Sequence, residues 1–152
     1  MPEQLKGFGP RRTSIEPGQF TTVTLAGGTV FPNTIDSLTL KNSAFYHGAP
    51  GAAGSVFSHS FQLAAGTYDF NIVTLGTYGF PGIIEFKVDG VVILTLDPFL
   101  LVGTYNVLTT TTGVVIPTSG KHLLTLTCTG KNAGSADYEI WIDAIWFSPT
   151  TD

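Results

Sequence analysis

Residues 83–96, IIEFKVDGVVILTL, decide the fold class of this chain. Two apolar runs rich in β-branched residues, IIEFKV (83–88) and VVILTL (91–96), flank Asp89-Gly90. Asp and Gly both tolerate the positive φ that a type I′ turn requires, so the stretch predicts a tight β-hairpin. The same pattern recurs outward from it. SVFSHSFQL (55–63) sets Phe57, His59, Phe61 and Leu63 on one face, and TYDFNIVTL (67–75) sets Tyr68, Phe70 and Ile72 against Asp69 and Asn71. FTTVTL (20–25), SLTLKNSAFY (37–46), TTTTGVVIP (109–117), SGKHLLTLTCTG (119–130) and YEIWIDAIWF (138–147) also read as strands. GAPGAAG (48–54) and KNAGSAD (131–137) read as turns, GTYGFPG (76–82) as a loop, and DPFLLVGTYNVL (97–108) as a less regular connection. Helix signals are almost absent. About nine short strands, with turn signals roughly every 8–12 residues, predict an all-β chain, an antiparallel two-sheet β-sandwich of the jelly-roll kind.

Residues 1–19 contain Pro2, Pro10, Pro17, Gly7, Gly9 and Gly18 and little else of weight besides Arg11 and Arg12. They are expected as an extended N-terminal arm, with the jelly roll over 20–149. At 152 residues the chain is one domain of ordinary size. Its composition is unusual in one respect. Only 12% of residues are charged, against about 25% in an average globular protein. Threonine outnumbers even the 18 glycines, so neutral polar residues stand where charges usually do. With 11 Phe and 43% hydrophobic residues there is enough material for a core, which argues against disorder. A net charge of −4 argues against a basic nucleic-acid-binding face. No segment approaches a membrane span of about 18 apolar residues, and the N-terminus has no apolar signal-peptide core. The single cysteine, Cys128, lies in a strand-like run and is expected as a buried apolar side chain.

Four landmarks in the order found here resemble the galactose-binding-like jelly roll, the sandwich of many carbohydrate-binding modules and of domains appended to phage and glycosidase proteins. They are Ala65-Gly66-Thr67-Tyr68, Asp89-Gly90, Ser119-Gly120-Lys121-His122-Leu123 and Ile142-Asp143-Ala144-Ile145. The resemblance spans residues 57–147 and leaves 1–35 unmatched. It implies a structural role for His122 as the residue after the turn. Many modules resembling it hold a structural calcium near the N-terminal strands; Glu16 and Asp36 are the acidic residues there, and their spacing does not mark a site. No cofactor is expected.

The residues offer little catalytic chemistry. No nucleophile elbow is present, and Ser58, His59 and Ser60 alternate faces on one strand, so they form no dyad. No His, Cys or carboxylate spacing suits a metal. Glycoside hydrolysis needs two carboxylates about 5–10 Å apart, and nothing in the sequence singles out a pair among Glu85, Asp97, Glu139 and Asp143. The chain is therefore expected to be non-enzymatic. Sugar binding needs a flat aromatic ring beside amide or carboxylate partners. The candidate glycan-contacting aromatics are Tyr78, Phe80, Tyr105, Trp141 and Trp146, with Tyr46 also in the stock. Trp141 and Trp146 are five residues apart, so a regular strand would send them to opposite faces.

Two functions are expected from these features. One is a structural protein of a phage-like virion, a decoration, head-fibre or tail subunit. It would be made in the host cytoplasm, anchored by its N-terminal region to capsid or tail proteins, and assembled as a homo-oligomer, with a trimer expected. Its jelly roll would be displayed and available to cell-surface glycans. The alternative is a free-standing carbohydrate-binding module or lectin.

Overall fold

The computed structural model describes residues 9–34, 44–74, 81–101 and 106–150, and for 31–34, 44 and 46–51 the backbone only. The strands are β1 (Thr13–Ile15), β2 (Thr21–Thr24), β3 (Gly27–Thr34), β4 (Ala44–Gly51), β5 (Val56–Leu63), β6 (Gly66–Thr74), β7 (Gly82–Val88), β8 (Val91–Leu96), β9 (Val107–Ile116), β10 (Gly120–Lys131) and β11 (Ile140–Pro149). Single 3-10 turns at Pro17–Gln19 and Pro98–Leu100 interrupt them, and no α-helix occurs among the described residues. One sheet runs β3-β4-β11-β6-β9, with β1 also paired to β11. The other runs β2-β5-β10-β7-β8. Every strand pairing is antiparallel.

Alternation of apolar and polar residues folds these strands into a sandwich, because each sheet must bury one face. The first sheet contributes Phe45, Tyr68, Phe70, Ile72, Ile145 and Phe147 to the core, and the second Phe57, Leu63, Ile84, Phe86, Leu124 and Leu126. Aromatic rings connect the sheets. Phe147 stacks on Phe61 with centroids 5.4 Å apart and packs on Phe70 at 5.1 Å, and Phe70 meets Phe86 at 5.5 Å. Each such ring, fully buried, stabilises the fold by about 1.5–3 kcal/mol. Cys128 is fully buried among them, as an apolar side chain there should be.

The 83–96 hairpin forms as its sequence demands. Asp89 and Gly90 hold φ of 49° and 83°, the left-handed pair of a type I′ turn. Asp89 then does more than turn the chain. Its Oδ1 accepts the Leu123 N–H at 2.8 Å, and its Oδ2 lies 2.6 Å from His122 Nδ1. The other ring nitrogen of His122 lies 2.9 Å from the Thr118 carbonyl. Both nitrogens thus face acceptors, which pins the hairpin tip to β10 and accounts structurally for the buried His122.

Three segments differ from the sequence expectation. Gly27–Thr34, for which the pattern gave no strand, forms β3 and pairs with β4. GAPG (48–51), expected as a turn, continues β4, because Gly48 and Gly51 pair with Thr29 and Gly27 of β3. Backbone pairing supplies what the side chains lack. Thr13–Ile15, expected within an extended arm, is extended but integrated. It pairs with β11 through Thr13↔Phe147 and Ile15↔Ile145, and Ile15 is buried in the core. Packing therefore begins ahead of residue 20.

Candidate functional site

Two of the aromatic candidates, Trp141 and Trp146, lie on β11. Its core-facing residues are Ile140 and Ile142 in the first half and Ile145 and Phe147 in the second, all fully buried. The step from Ile142 to Ile145 is odd, so the strand changes parity between them. The pairing with β6 shows where. Ile142 faces Thr74 and Ala144 faces Val73, which leaves Asp143 as the extra residue of a β-bulge. The bulge coincides with a change of partner on the other edge of β11, from β4 at Ile140–Ile142 to β1 at Ile145–Phe147.

The expectation that Trp141 and Trp146 point to opposite faces is therefore overturned. The bulge adds one residue and restores them to the same outer face, four strand steps or about 13 Å apart. Both rings are half-buried. Of the remaining candidates, Tyr78, Phe80 and Tyr105 lie outside the described residues, as does the side chain of Tyr46, whose backbone pairs with Trp141.

The neighbours of the two tryptophans are polar. Trp141 donates its Nε1–H to Asp143 Oδ1 at 3.0 Å. Asp143 is fully buried, and burial pushes its carboxyl above the usual carboxylate range, with the Trp141 hydrogen bond opposing. Trp146 sits in a cross-strand row, with Ser14 on β1 to one side and Asn71 on β6 to the other, and Asn71 in turn opposes Thr110 on β9. Asn71 is buried and saturated. Its Nδ2 donates to the Asp69 carbonyl at 3.1 Å and the Trp146 carbonyl at 3.4 Å, and its Oδ1 accepts from Thr110 Oγ1 at 2.8 Å. The next row pairs Asp69 with Ser148, and Asp69 Oδ1 is buried without a hydrogen-bond partner. The Arg12 guanidinium, exposed on the residue before β1, lies 5.1 Å from the Trp146 ring centroid, a cation–π contact. The sequence marks both tryptophans as candidates, while it sets Arg12 in the N-terminal arm and Asn71 on the polar face of a strand, neither as a site residue. These two come to the site only through the β1–β11 and β6–β11 registers.

Of the carboxylates weighed for catalysis, Glu85, Asp97 and Asp143 each hold a contact of their own. Glu85 pairs with Lys87 at 3.2 Å. Asp97 caps the turn at Pro98–Leu100 through Phe99 N and accepts Asn132 Nδ2 at 2.9 Å. Asp143 is committed to Trp141. No cluster of three or more metal-ligating side chains occurs among the described residues. Of the calcium candidates, Glu16 is exposed and Asp36 lies outside the described residues.

No family model and no curated protein matches the chain. Solved structures do. A Paenibacillus xanthan lyase aligns over 94% of this chain with a TM-score of 0.73 and 19% identity, and this chain spans 14% of that enzyme. The CBM36-1 domain of a multidomain xylanase from the hindgut metagenome of Trinervitermes trinervoides aligns over 93% of this chain and 100% of its own length, with a TM-score of 0.65 and 16% identity. A family 35 carbohydrate-binding module from Clostridium thermocellum aligns over 91% of this chain and 98% of its own, with a TM-score of 0.61 and 10% identity. At these identities the likeness is one of fold, the jelly-roll sandwich of carbohydrate-binding modules.

Proposed function

We propose that this chain is a non-catalytic carbohydrate-binding domain that receives a glycan on the outer face of the sheet containing β11. The observation that carries this is the bulge at Asp143, which brings Trp141 and Trp146 to one face. Two indoles borne by residues about 13 Å apart along the strand give a glycan chain two apolar contacts. The Trp141 N–H is held by Asp143, which sets the plane of that ring. Around Trp146, Ser14, Thr110, Ser148 and the Arg12 guanidinium offer hydrogen bonds to sugar hydroxyls. The similar folds of modules named for carbohydrate binding support the same class of ligand. Isothermal titration with xylan, mannan, galactan and xanthan oligosaccharides tests it. Binding to at least one, weakened tenfold or more by Trp141→Ala, supports the proposal. Silence across the set in the millimolar range refutes it.

A second reading places this domain on a phage-like virion as a decoration or fibre subunit, attached to capsid or tail proteins through the residues ahead of β1. The scarcity of charge favours it, since 12% charged residues leave broad neutral surfaces for close packing. A chain lacking residues 1–10 but keeping Arg12 and β1 is expected to lose attachment to particles while keeping any sugar binding.

A further inference from the structure

We infer, on the reading of β11 as a glycan site, that Asp69 is a positioning residue of that site. Its carboxylate receives the Arg12 guanidinium when a sugar ring takes the guanidinium's place on Trp146. Two groups on this face lack a polar partner. Arg12 lies over the Trp146 ring, 5.1 Å from its centroid, and no hydrogen bond or ion pair engages it among the described residues. Asp69 Oδ1 is buried with no hydrogen-bond partner. A buried acceptor left unpaired is destabilising, and the donor that best fits a carboxylate is a guanidinium.

The strand registers put the two within reach. Phe147 and Phe70 are buried in the core, so Trp146 and Ser148 of β11 and Asp69 and Asn71 of β6 belong to the outer face. Thr13 opposes Phe147 and Ser14 opposes Trp146, so the residue before them, Arg12, falls beside Ser148, and Ser148 opposes Asp69. Arg12, Ser148 and Asp69 thus form one cross-strand row whose ends are two strand spacings, about 10 Å, apart. An arginine and an aspartate reaching toward each other cover that span. The amide between them does not serve the carboxylate, because Asn71 Nδ2 donates to the Asp69 and Trp146 carbonyls and lies 3.5 Å from Ser148 Oγ. A sugar stacking on Trp146 needs the place that the cation holds. An exposed cation–π contact is weak, so it yields, and the waiting carboxylate offsets the loss. Asp69 is half-buried, and its last torsion is broad and roughly two-fold, so either oxygen can turn to meet the guanidinium. The other guanidinium N–H groups stay available to sugar hydroxyls.

A double-mutant cycle on sugar affinity tests this, by isothermal titration of the full chain with the xylan, mannan, galactan and xanthan oligosaccharides. Asp69→Asn should weaken binding by about two- to fivefold, with circular dichroism unchanged. In the Arg12→Ala background the same substitution should change nothing, because no guanidinium remains to be received. The Arg12 Nε–H resonance gives a direct readout. The indole ring current shifts it upfield in the free protein, and saturating sugar should return it toward its ordinary position. Weakening that persists in the Arg12→Ala background shows Asp69 touching the sugar itself and overturns the inference. So does Asp69→Asn binding as wild type does, or an Arg12 resonance that sugar leaves in place. Silence toward every sugar refutes the glycan reading and this inference with it, whereas binding without coupling refutes this inference alone.

Discussion

Trp141 donates its indole N–H to Asp143 Oδ1 at 3.0 Å, and the acceptor belongs to the extra residue of the β11 bulge. The contact links the feature that sets strand parity to one of the rings that the parity brings to the surface. It also places a carboxylate where water does not reach.

The first prediction concerns that carboxylate. Burial raises the folded-state pKa of Asp143 above its ordinary value of 3.8. A raised carboxyl favours folding most below the unfolded value and loses that contribution as pH rises through the folded one. Asp143→Asn does not titrate and keeps an oxygen to accept from Trp141. Its melting temperature should therefore improve relative to wild type on going from acid to pH 7. Thermal denaturation of both proteins at several pH values checks this, and a variant that loses ground to wild type as pH rises from acid to 7 contradicts it.

Asp89 runs the opposite way. Its hydrogen bonds to His122 and to the Leu123 N–H hold its carboxyl below the usual 3.8. Stability from a depressed carboxyl is present above the unfolded value and lost as pH falls through the folded one. Asp89 is half-exposed, so solvent screening limits the effect, and Asp89→Asn should cost about 1 kcal/mol at pH 7. The difference from wild type should close as the pH is taken well below 3.8. Denaturant titrations at pH 7 and near pH 2.5 would show it, and an equal gap at both refutes it.

Gly82 is predicted to resist any side chain. A Cβ there would sit 2.9 Å from Cys128 Sγ and 3.1 Å from the Tyr138 backbone. A backbone neighbour yields little, so Gly82→Ala should destabilise by about 1–3 kcal/mol. Gly130→Ala, with nothing within 4 Å of its Cβ position, is the matched control. Equal unfolding midpoints for the two variants would refute the packing account.

Arg12 should stabilise the fold through Trp146. An exposed cation–π contact contributes about 0.5–1 kcal/mol, so Arg12→Ala should lower the melting temperature by about 1–4 °C in a domain of this size. Trp146→Ala should remove the sensitivity, leaving the double variant no worse than the tryptophan single. A thermal double-mutant cycle measures this, and strict additivity would show that the two residues act separately.

Much of the sandwich could be read directly from residue order. The Asp-Gly turn and the alternation in 55–63 and 67–75 are local, and those two strands bury Phe57, Phe61, Leu63, Tyr68, Phe70 and Ile72 as their patterns assigned. The face of Trp146 was not so plain, because parity counted across Asp143 assumes a regular strand. A trace of the bulge does exist in the spacing. Ile140 and Ile142 are followed by Ile145 and Phe147, a step of three where alternation allows two. The place of Thr13–Ile15 had no local signal. Three residues next to Pro and Gly acquire strand structure only because a β11 edge, left open where β4 departs, lies more than a hundred residues away in the chain.

The β1–β11 pairing has a mechanical consequence. Thr13 lies opposite Phe147, so the chain enters and leaves the domain side by side. Anything joined ahead of β1 and anything joined beyond β11 would attach at a single stem. Tension applied between those two junctions would load the short β1 ladder one rung at a time, peeling it from β11, and Arg12 would leave the Trp146 ring at the start. A pull on the domain from either side would thus uncover that indole before it disturbed the aromatic core.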